Sequence, residues 1–210
     1  LSFQREDSVE LAKTYKKQVK GKNREKSEIK IAGLVAECLQ TLEQLSEGKK
    51  PHWTKVSIAI ALGTGRRMAE IHALGSFEVT EEYEMLFSGQ AKTRGVEDAK
   101  TEYTIPTLFR ADLMREAIAY LEGLDRRLDP EQQQNDRNAT NKAFGMALSR
   151  AMGKYKGISY KGLRAIYTEC LWALLPDSEK AKSEKHTKYS DWLGHIDKDG
   201  AQDATFMSYM

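Results

Sequence analysis

The chain has 210 residues, of which 40% are hydrophobic and 30% are charged, and its formal net charge is +2. These proportions are typical of a soluble globular protein with a real core. No apolar run approaches the length of a membrane-spanning helix, and no secretory pattern opens the sequence. The two cysteines are far apart, which argues against a zinc site and a disulfide framework. We therefore expect a cytoplasmic protein without a membrane partner, and both ends suggest a fragment of a longer protein.

Residues 1–50 are polar and predicted to be mainly helical, forming an N-terminal or linker segment before a domain over residues 51–210. Eight basic and two acidic residues fall within residues 13–30. That run fits either a solvated helix or an arm that follows DNA phosphates. From about Ser27 an apolar stripe recurs at three- and four-residue steps, which predicts a helix ending at Gly48.

The next stretch is predicted to be a buried helix over Val56–Leu62, because it is apolar nearly all round. Gly63 and Gly65 break this helix and allow the backbone to turn sharply. A further helix is expected from Arg67 to about Leu74.

The hydrophobic period then changes to two, which predicts a small antiparallel sheet. Its first two strands meet near Glu81 and Glu82, and a turn that carries Lys92 follows the second strand. The alternating residues that define the three strands are Phe77 and Val79, then Tyr83, Met85 and Phe87, then Thr101, Tyr103 and Ile105.

The helical period returns after the sheet, so the chain is predicted to be mainly α-helical with one three-stranded antiparallel sheet. Residues 125–138 are expected to form an exposed, charged connection. In the helix after it Ala143 and Phe144 should face inward, and in the next one Ile166 and Cys170. The predicted segments are helices over residues 111–121, 138–152, 160–175 and 186–193, a loop over 197–203, and the start of a last helix over 204–210.

Five stretches supply residue types suited to holding one phosphodiester. A small-residue turn at 63–65 delivers Arg66, Arg67 and Glu70 to the start of a helix, where fixed cations and backbone N–H groups favour a phosphate. Later stretches add four residues that are or can be cationic, and one phenol. Taken as one site, the reactive residues are Arg67, Lys92, Lys161, Arg164, His195 and Tyr209.

This set predicts attack on a phosphodiester by a side chain. Arg67 and Arg164 stay charged and can hold the non-bridging oxygens. Tyr209 is the natural nucleophile, which must lose its phenolic proton as it attacks. Lys92 can protonate the leaving 5′ oxygen as a general acid. The expected product is a 3′-phosphotyrosine link.

We expect neither a metal nor a cofactor at this site. The sequence has no carboxylate cluster suited to Mg²⁺ and no histidine–cysteine cluster suited to zinc. Charge that builds on the phosphate oxygens would instead be met by side chains, to which His195 or Lys161 adds a donor.

More ordinary explanations stay open for each element. A tyrosine near a chain end usually serves packing, lysine is common in solvated turns, and Leu-Gly-His can be a helix end followed by a surface histidine. We interpret His52, His72 and His186 as structural or surface residues. Cys38 and Cys170 are interpreted as small core residues.

The order of the motifs resembles the catalytic domain of tyrosine recombinases: Thr-Gly-x-Arg-x-x-Glu-Ile, a lysine in a β-turn, x-x-x-Arg before a helix, Leu-Gly-His and Thr-x-x-x-Tyr. Three longer stretches, Arg66–Ile71, Phe87–Lys92 and Tyr160–Tyr167, are similar to the protelomerases, or hairpin telomere resolvases, of phages with linear plasmid prophages. The resemblance covers about residues 55–210.

The resemblance implies a homodimer on double-stranded, palindromic DNA in the cytoplasm of a bacterial host. Both strands are cleaved through phosphotyrosines, and each strand is rejoined to its own complement, which leaves two closed hairpin ends. The implied roles are Arg67 and Arg164 as the arginine pair, Lys92 as general acid, Lys161 in place of the more usual histidine, His195 as the later histidine, Tyr209 as nucleophile, Glu70 steering Arg67 or a neighbour, and Arg66 in support.

One spacing departs from the common pattern, which would place the nucleophile at Ala204. We interpret residues 197–203 as an insertion, because Tyr209 is the only tyrosine downstream. Two alternatives remain: a conventional recombinase or integrase that exchanges strands between two duplexes, and a DNA-binding protein that keeps the fold without the chemistry. Lys161 favours the hairpin enzyme over the integrase, and the complete reactive set argues against the binder.

Overall fold

The computed structural model describes residues 31–91, 102–182 and 184–194. The chain divides into two compact units, Leu1–Ala36 and Glu37–Met210. The predicted first helix is present as α1 over residues 31–46. The basic run before it lies outside the described residues, and the division proposed at residue 50 stays a prediction.

Helix α2 (Trp53–Thr64) is buried along nearly its whole length, as its all-round apolar sequence predicts. It packs against three later helices and begins earlier than expected, because the His52 side chain accepts a hydrogen bond from the Thr54 N–H. Gly63 does not break the helix. It lies inside α2, where a Cβ atom would come within 2.5 Å of the Met114 sulfur. The break falls at Gly65, whose φ of 65° ends α2.

The predicted three-stranded antiparallel sheet is confirmed, in the order β1-β2-β3. Phe77 pairs with Phe87, and Met85 pairs with Ile105, and these four residues are buried, whereas Val79 is exposed. Tyr83 was expected in a strand but lies in the turn and is exposed. The strands are β1 (Ser76–Glu81), β2 (Glu84–Ser88) and β3 (Glu102–Pro106).

A π-helical turn, Glu70–Leu74, connects the end of α2 to the sheet. The sequence predicted a plain helix from Arg67, whereas the helical stretch begins at Met68 and widens at Glu70. Its end is set by Gly75, whose N–H bonds the Glu70 carbonyl.

The remaining helices follow the predicted order with altered bounds. The connection over residues 125–138 is not entirely irregular, because Asp129 caps a short helix within it. Ala143 was expected to face inward but is exposed, while Phe144 is buried as predicted. These helices are α3 (Ala111–Gly123), α4 (Pro130–Asn135), α5 (Ala139–Met152), α6 (Leu163–Leu174), α7 (Asp177–Lys180) and α8 (Lys185–Leu193).

The inward face of α6 differs from the predicted one. Ile166 and Cys170 are only half-buried, whereas Arg164 and Tyr167 are buried. The cause is hydrogen bonding, because the Tyr167 hydroxyl donates to the Pro106 carbonyl at 2.6 Å. A polar side chain with such a partner can be buried at little cost.

The two cysteines also have different surroundings. Cys38 is buried, as predicted, and burial raises the pKa of its thiol to about 12. Cys170 is half-buried, so the expectation of a core position was wrong for this residue. None of the described helices is both long enough and apolar enough to span a membrane.

His72 lies buried against α2, which agrees with a structural role. Its Nδ1 is 2.6 Å from the Arg126 carbonyl, and its Nε2 is 2.7 Å from the Ser57 hydroxyl. The Phe144 ring covers it at a centroid distance of 4.7 Å. Burial lowers the pKa of His72 to about 4, opposed by the hydrogen bond to Arg126 and assisted by the charge of Arg127.

This pKa makes the folded state sensitive to acid. The ordinary pKa of 6.5 applies to the unfolded chain, which therefore binds more protons than the folded chain between pH 6.5 and about 4. The contribution of neutral His72 is complete above pH 6.5 and is lost as the pH falls. We expect about 2 kcal/mol of unfolding free energy to be lost between about pH 7 and about pH 5, measured by urea denaturation. His72→Gln should flatten this dependence, and an equally steep profile in the variant would contradict the assignment.

Candidate active site

Arg67 sits where the chain leaves Gly65 and re-enters a helix. Its backbone N–H donates to Glu70 Oε2 at 2.7 Å, and its Nη1 donates to Glu70 Oε1 at 2.8 Å. A glutamate three residues into a helix commonly reaches back in this way to cap the first N–H groups. The contact expected between Glu70 and Arg67 is therefore present. The Arg67 side chain is 22% exposed, while Glu70 is fully buried.

Glu70 also contacts two other parts of the predicted site. Its Oε1 accepts the Ala91 N–H at 3.1 Å, and its Oε2 lies 3.8 Å from Arg164 Nη1. Burial opposes its ionisation, but the charges of Arg67, Arg164 and Arg66 outweigh burial and lower its pKa to about 2. The carboxylate therefore stays ionised and connects the first arginine, the second arginine and the turn after β2.

Arg164 is the second residue of α6 and is only 4% exposed. Its Nη1 donates to the Gly65 carbonyl at 2.8 Å, and its Nη2 donates to the Leu193 carbonyl at 2.9 Å. Burial, followed by the charges of Arg67 and Arg66, lowers the pKa of Arg164 to about 9. The guanidinium is thus still protonated at neutral pH, in a region that is rich in positive charge.

Arg66 points into the protein, although it stands beside Arg67 in the sequence. It is 2% exposed, its Nη1 donates to the Tyr103 hydroxyl at 2.6 Å, and its Nε donates to the Thr64 carbonyl at 3.1 Å. The guanidinium carbon also lies 4.9 Å from the centroid of the Phe87 ring. The Arg66 guanidinium is thus bonded within the protein, and its assignment as a supporting site residue stays a prediction.

Three side chains bind the last carbonyls of α8. Arg66 Nη2 donates to the Trp192 carbonyl at 2.7 Å, Arg164 bonds the Leu193 carbonyl, and Gln90 Nε2 donates to the Gly194 carbonyl at 2.8 Å. Two cations thus lie at the negative end of the helix dipole.

Gly194 ends α8 with a φ of 63°, as expected for the Leu-Gly-His motif. A Cβ atom at Gly194 would lie 2.2 Å from the Tyr103 hydroxyl, so this close approach requires glycine.

One cleft brings the described members of the predicted site together. Arg66, Arg67, Lys161 and Arg164 all line a cavity of about 780 Å³ between residues 66–69, α5 and the connection from α5 to α6. The other three predicted site residues, Lys92, His195 and Tyr209, lie outside the described residues.

The residues that precede Lys92 and His195 in the sequence are described, and both form hydrogen bonds near Glu70 and the end of α8. Ala91, which precedes Lys92, bonds Glu70, and Gly194, which precedes His195, bonds Gln90. Over the ranges that the structure describes, no group of three or more His, Cys, Asp or Glu side chains is arranged to hold a metal ion.

The sequence did not single out Gln90 or Tyr103. Gln90 lies within the stretch Phe87–Lys92 that carried part of the resemblance, which was the available signal. Tyr103 was assigned only to a strand. Its hydroxyl accepts a hydrogen bond from Arg66, which lies 37 positions away in the sequence. A contact over that separation produces no periodic pattern in the sequence.

Comparison with known proteins relates the chain to telomere resolvases. Residues 23–209 match the family described as the telomere resolvase ResT/TelK catalytic domain. Over 157 residues the chain is 30% identical to the protelomerase of Escherichia phage N15. That match covers 68% of this chain and 25% of the phage protein, so the chain spans a quarter of that relative's length.

Solved protelomerase structures share the fold. An arginine-to-alanine mutant of protelomerase TelA complexed with DNA hairpin product matches with a TM-score of 0.64 and 21% identity, covering 92% of this chain and 64% of that one. TelA covalently complexed with substrate DNA matches with a TM-score of 0.58 and 20% identity, over 100% and 66% of the two chains. TelK complexed with substrate DNA matches with a TM-score of 0.63 and 21% identity, over 99% and 41%.

The central position of Glu70 can be tested by Glu70→Gln. The ionised carboxylate, with a pKa of about 2 against 4.5 when unfolded, should contribute about 3 kcal/mol of unfolding free energy at neutral pH. Its contribution is present above pH 4.5 and is lost as the pH falls towards 2. Urea denaturation should therefore show a large deficit for Glu70→Gln at about pH 7. The control Glu47→Gln, in an exposed pair with Lys49, should change stability little, and equal effects would contradict the assignment.

Proposed function

Because this chain belongs to the telomere resolvase ResT/TelK catalytic-domain family, we propose that its protein is a DNA cleaving and rejoining enzyme that makes hairpin telomeres. It cuts a palindromic duplex through a 3′-phosphotyrosyl intermediate and reseals each end as a covalently closed hairpin. The observation that carries this proposal is the cluster in which one buried carboxylate, Glu70, holds Arg67 and Arg164 beside the cleft that Lys161 lines.

The charge of the cluster supports a phosphate as its ligand. Arg66, Arg67 and Arg164 surround Glu70, and the charges of the other two lower the pKa of Arg164. An anion entering the cleft would relieve this repulsion. Arg67, which is the most exposed of the three, is suited to bind a non-bridging oxygen directly.

Lys161 lines the same cleft and can supply a further donor to the charge that develops in the transition state. A single such donor is typically worth about a hundredfold to a thousandfold in rate. In the proposed mechanism Tyr209 gives its phenolic proton to solvent, its oxygen bonds to the phosphorus, and the bond from the phosphorus to the 5′ oxygen of the strand breaks. Lys92 gives its proton to that leaving oxygen, and the bond from Ala91 to Glu70 supports its position near the arginine pair. His195 adds a donor from the end of α8.

The proposed partner is double-stranded, palindromic DNA bound by a homodimer in the host-cell cytoplasm. Two subunits are needed because two strands are cut, and a palindrome presents each subunit with the same half-site. Residues 51–210 are proposed as the catalytic domain, with no metal or cofactor in the reaction. The phosphotyrosine link conserves the energy of the phosphodiester, so rejoining requires no ATP.

The reaction can be tested with a pool of end-labelled palindromic duplexes that carry randomised half-sites. The complete protein is incubated with this pool in EDTA without ATP, and the products are separated on a denaturing gel. Hairpins that migrate as single strands of double length support the proposal. Four-way junctions would indicate strand exchange between duplexes, and a mobility shift without any covalent adduct would indicate a DNA-binding protein.

Tyr209→Phe should abolish the covalent protein–DNA adduct, because the variant lacks the oxygen that attacks phosphorus. DNA binding, measured by mobility shift with a palindrome recovered from the pool, should change little. Persistent adduct in the variant would exclude Tyr209 as the nucleophile.

Arg67→Lys should lower the rate of adduct formation about a hundredfold, since lysine cannot bond both Glu70 and a phosphate oxygen through one planar group. Arg110→Lys is the matched control, because Arg110 forms an exposed pair with Asp112 at 2.6 Å. Single-turnover kinetics on the recovered palindrome compare the two variants. Equal rates in both would contradict the role of Arg67.

A further inference from the structure

Tyr160 directly precedes Lys161 in the connection between α5 and α6. Its hydroxyl lies 2.8 Å from the Ser57 hydroxyl and 3.3 Å from the Ser57 carbonyl oxygen. These contacts join residues 103 positions apart and attach the connection to the buried helix α2. Local bonds also contribute, such as that from the Gly162 N–H to the Ser159 carbonyl at 2.9 Å.

This contact is the first in a chain of hydrogen bonds that runs from Tyr160 through Ser57 and His72 to Arg126. The donor and the acceptor of each bond can be assigned. The Arg126 carbonyl can only accept, so Nδ1 of His72 carries the proton and donates to it. Nε2 of neutral His72 then accepts from the Ser57 hydroxyl, which in turn accepts from Tyr160. Ser57 and His72 are fully buried, and breaking the chain would leave buried polar atoms without partners.

This chain passes through His72, which lies on the π-helical turn that also carries Glu70. The start of α6 is therefore held to that turn by two separate routes, one through Tyr160, Ser57 and His72, and the other through Arg164. Lys161 lies between the two attachment points in the sequence. Gly157 and Gly162 flank the segment, and glycine leaves a backbone flexible unless contacts restrain it.

We propose that Tyr160 is a positioning residue for Lys161: its hydroxyl, held by Ser57 and His72, fixes the turn that presents the lysine to the cleft. This inference rests on the proposed function for the role of Lys161 in catalysis. It does not place Tyr160 in contact with the DNA. A displacement of about 1 Å in a catalytic group can cost about a hundredfold in rate, so a missing anchor should affect the rate of reaction more than DNA binding.

Tyr160→Phe removes the hydroxyl and keeps the ring. Tyr120→Phe is the matched control, because the Tyr120 hydroxyl also donates to a distant backbone carbonyl, that of Pro51, at 2.9 Å. Amide hydrogen exchange on the protein without DNA should become about tenfold faster at Gly162 and Leu163 in Tyr160→Phe. The same amides should be unchanged in the control. Unchanged exchange in Tyr160→Phe would overturn the proposal.

The second measurement separates positioning from general destabilisation. In single-turnover reactions on a palindrome recovered from the pool, Tyr160→Phe should form adduct at least about tenfold more slowly, with a dissociation constant for that DNA within about twofold of the parent. Tyr120→Phe should match the parent in both values. A Tyr160→Phe rate equal to that of the control would overturn the proposal, as would an equal loss of rate and binding. If the parent protein forms no adduct, the proposed function fails, and the exchange measurement still decides whether Tyr160 fixes the turn.

Discussion

The arrangement of the site depends on one buried negative charge. Removing a carboxylate from water is costly, and Glu70 is fully buried, so it remains ionised only because positive groups surround it. It accepts bonds from the Arg67 backbone, the Arg67 side chain and the Ala91 backbone, and it faces Arg164. These groups belong to three parts of the chain, namely the turn after α2, the turn after β2 and the first turn of α6. The electrostatic requirement of a single carboxylate therefore sets the relative positions of the arginine pair and the turn after β2.

A second constraint acts on the end of α8, where backbone carbonyls need partners. Arg66, Arg164 and Gln90 satisfy three consecutive carbonyls, so the helix end is fixed to the sheet, to α6 and to the turn after β2. Close approach then demands small residues. Gly65 lies against the Tyr167 ring and Gly194 against Tyr103, and both have the left-handed backbone that favours glycine. The glycines in the motifs are thus explained by packing around the cluster as well as by chain reversal.

Hydrophobic periodicity predicted the helices and the sheet, because burial of one face repeats at a fixed interval. It failed where burial depends on hydrogen bonds. The inward face of α6 carries Arg164 and Tyr167, whose polar atoms meet carbonyls of other elements, and no period identifies them. The order of the motifs identified Arg67, Lys161 and Arg164, which line one cleft. It did not predict the direction in which each side chain points. The inward direction of Arg66, the role of Gln90 and the chain from Tyr160 to His72 are tertiary contacts, which sequence spacing does not encode.

The different orientations of Arg67 and Arg164 suggest that the two residues have different roles in the proposed reaction. Both terminal nitrogens of Arg164 donate to backbone carbonyls, and the side chain is almost fully buried. In the proposed reaction its charge acts on the phosphate with little screening by water. Arg67 is held by Glu70 but remains partly exposed, so it can exchange solvent for a phosphate oxygen without moving the backbone. A cation fixed before the ligand arrives needs little reorganisation when charge develops, and this preorganisation is the main source of electrostatic stabilisation of a transition state.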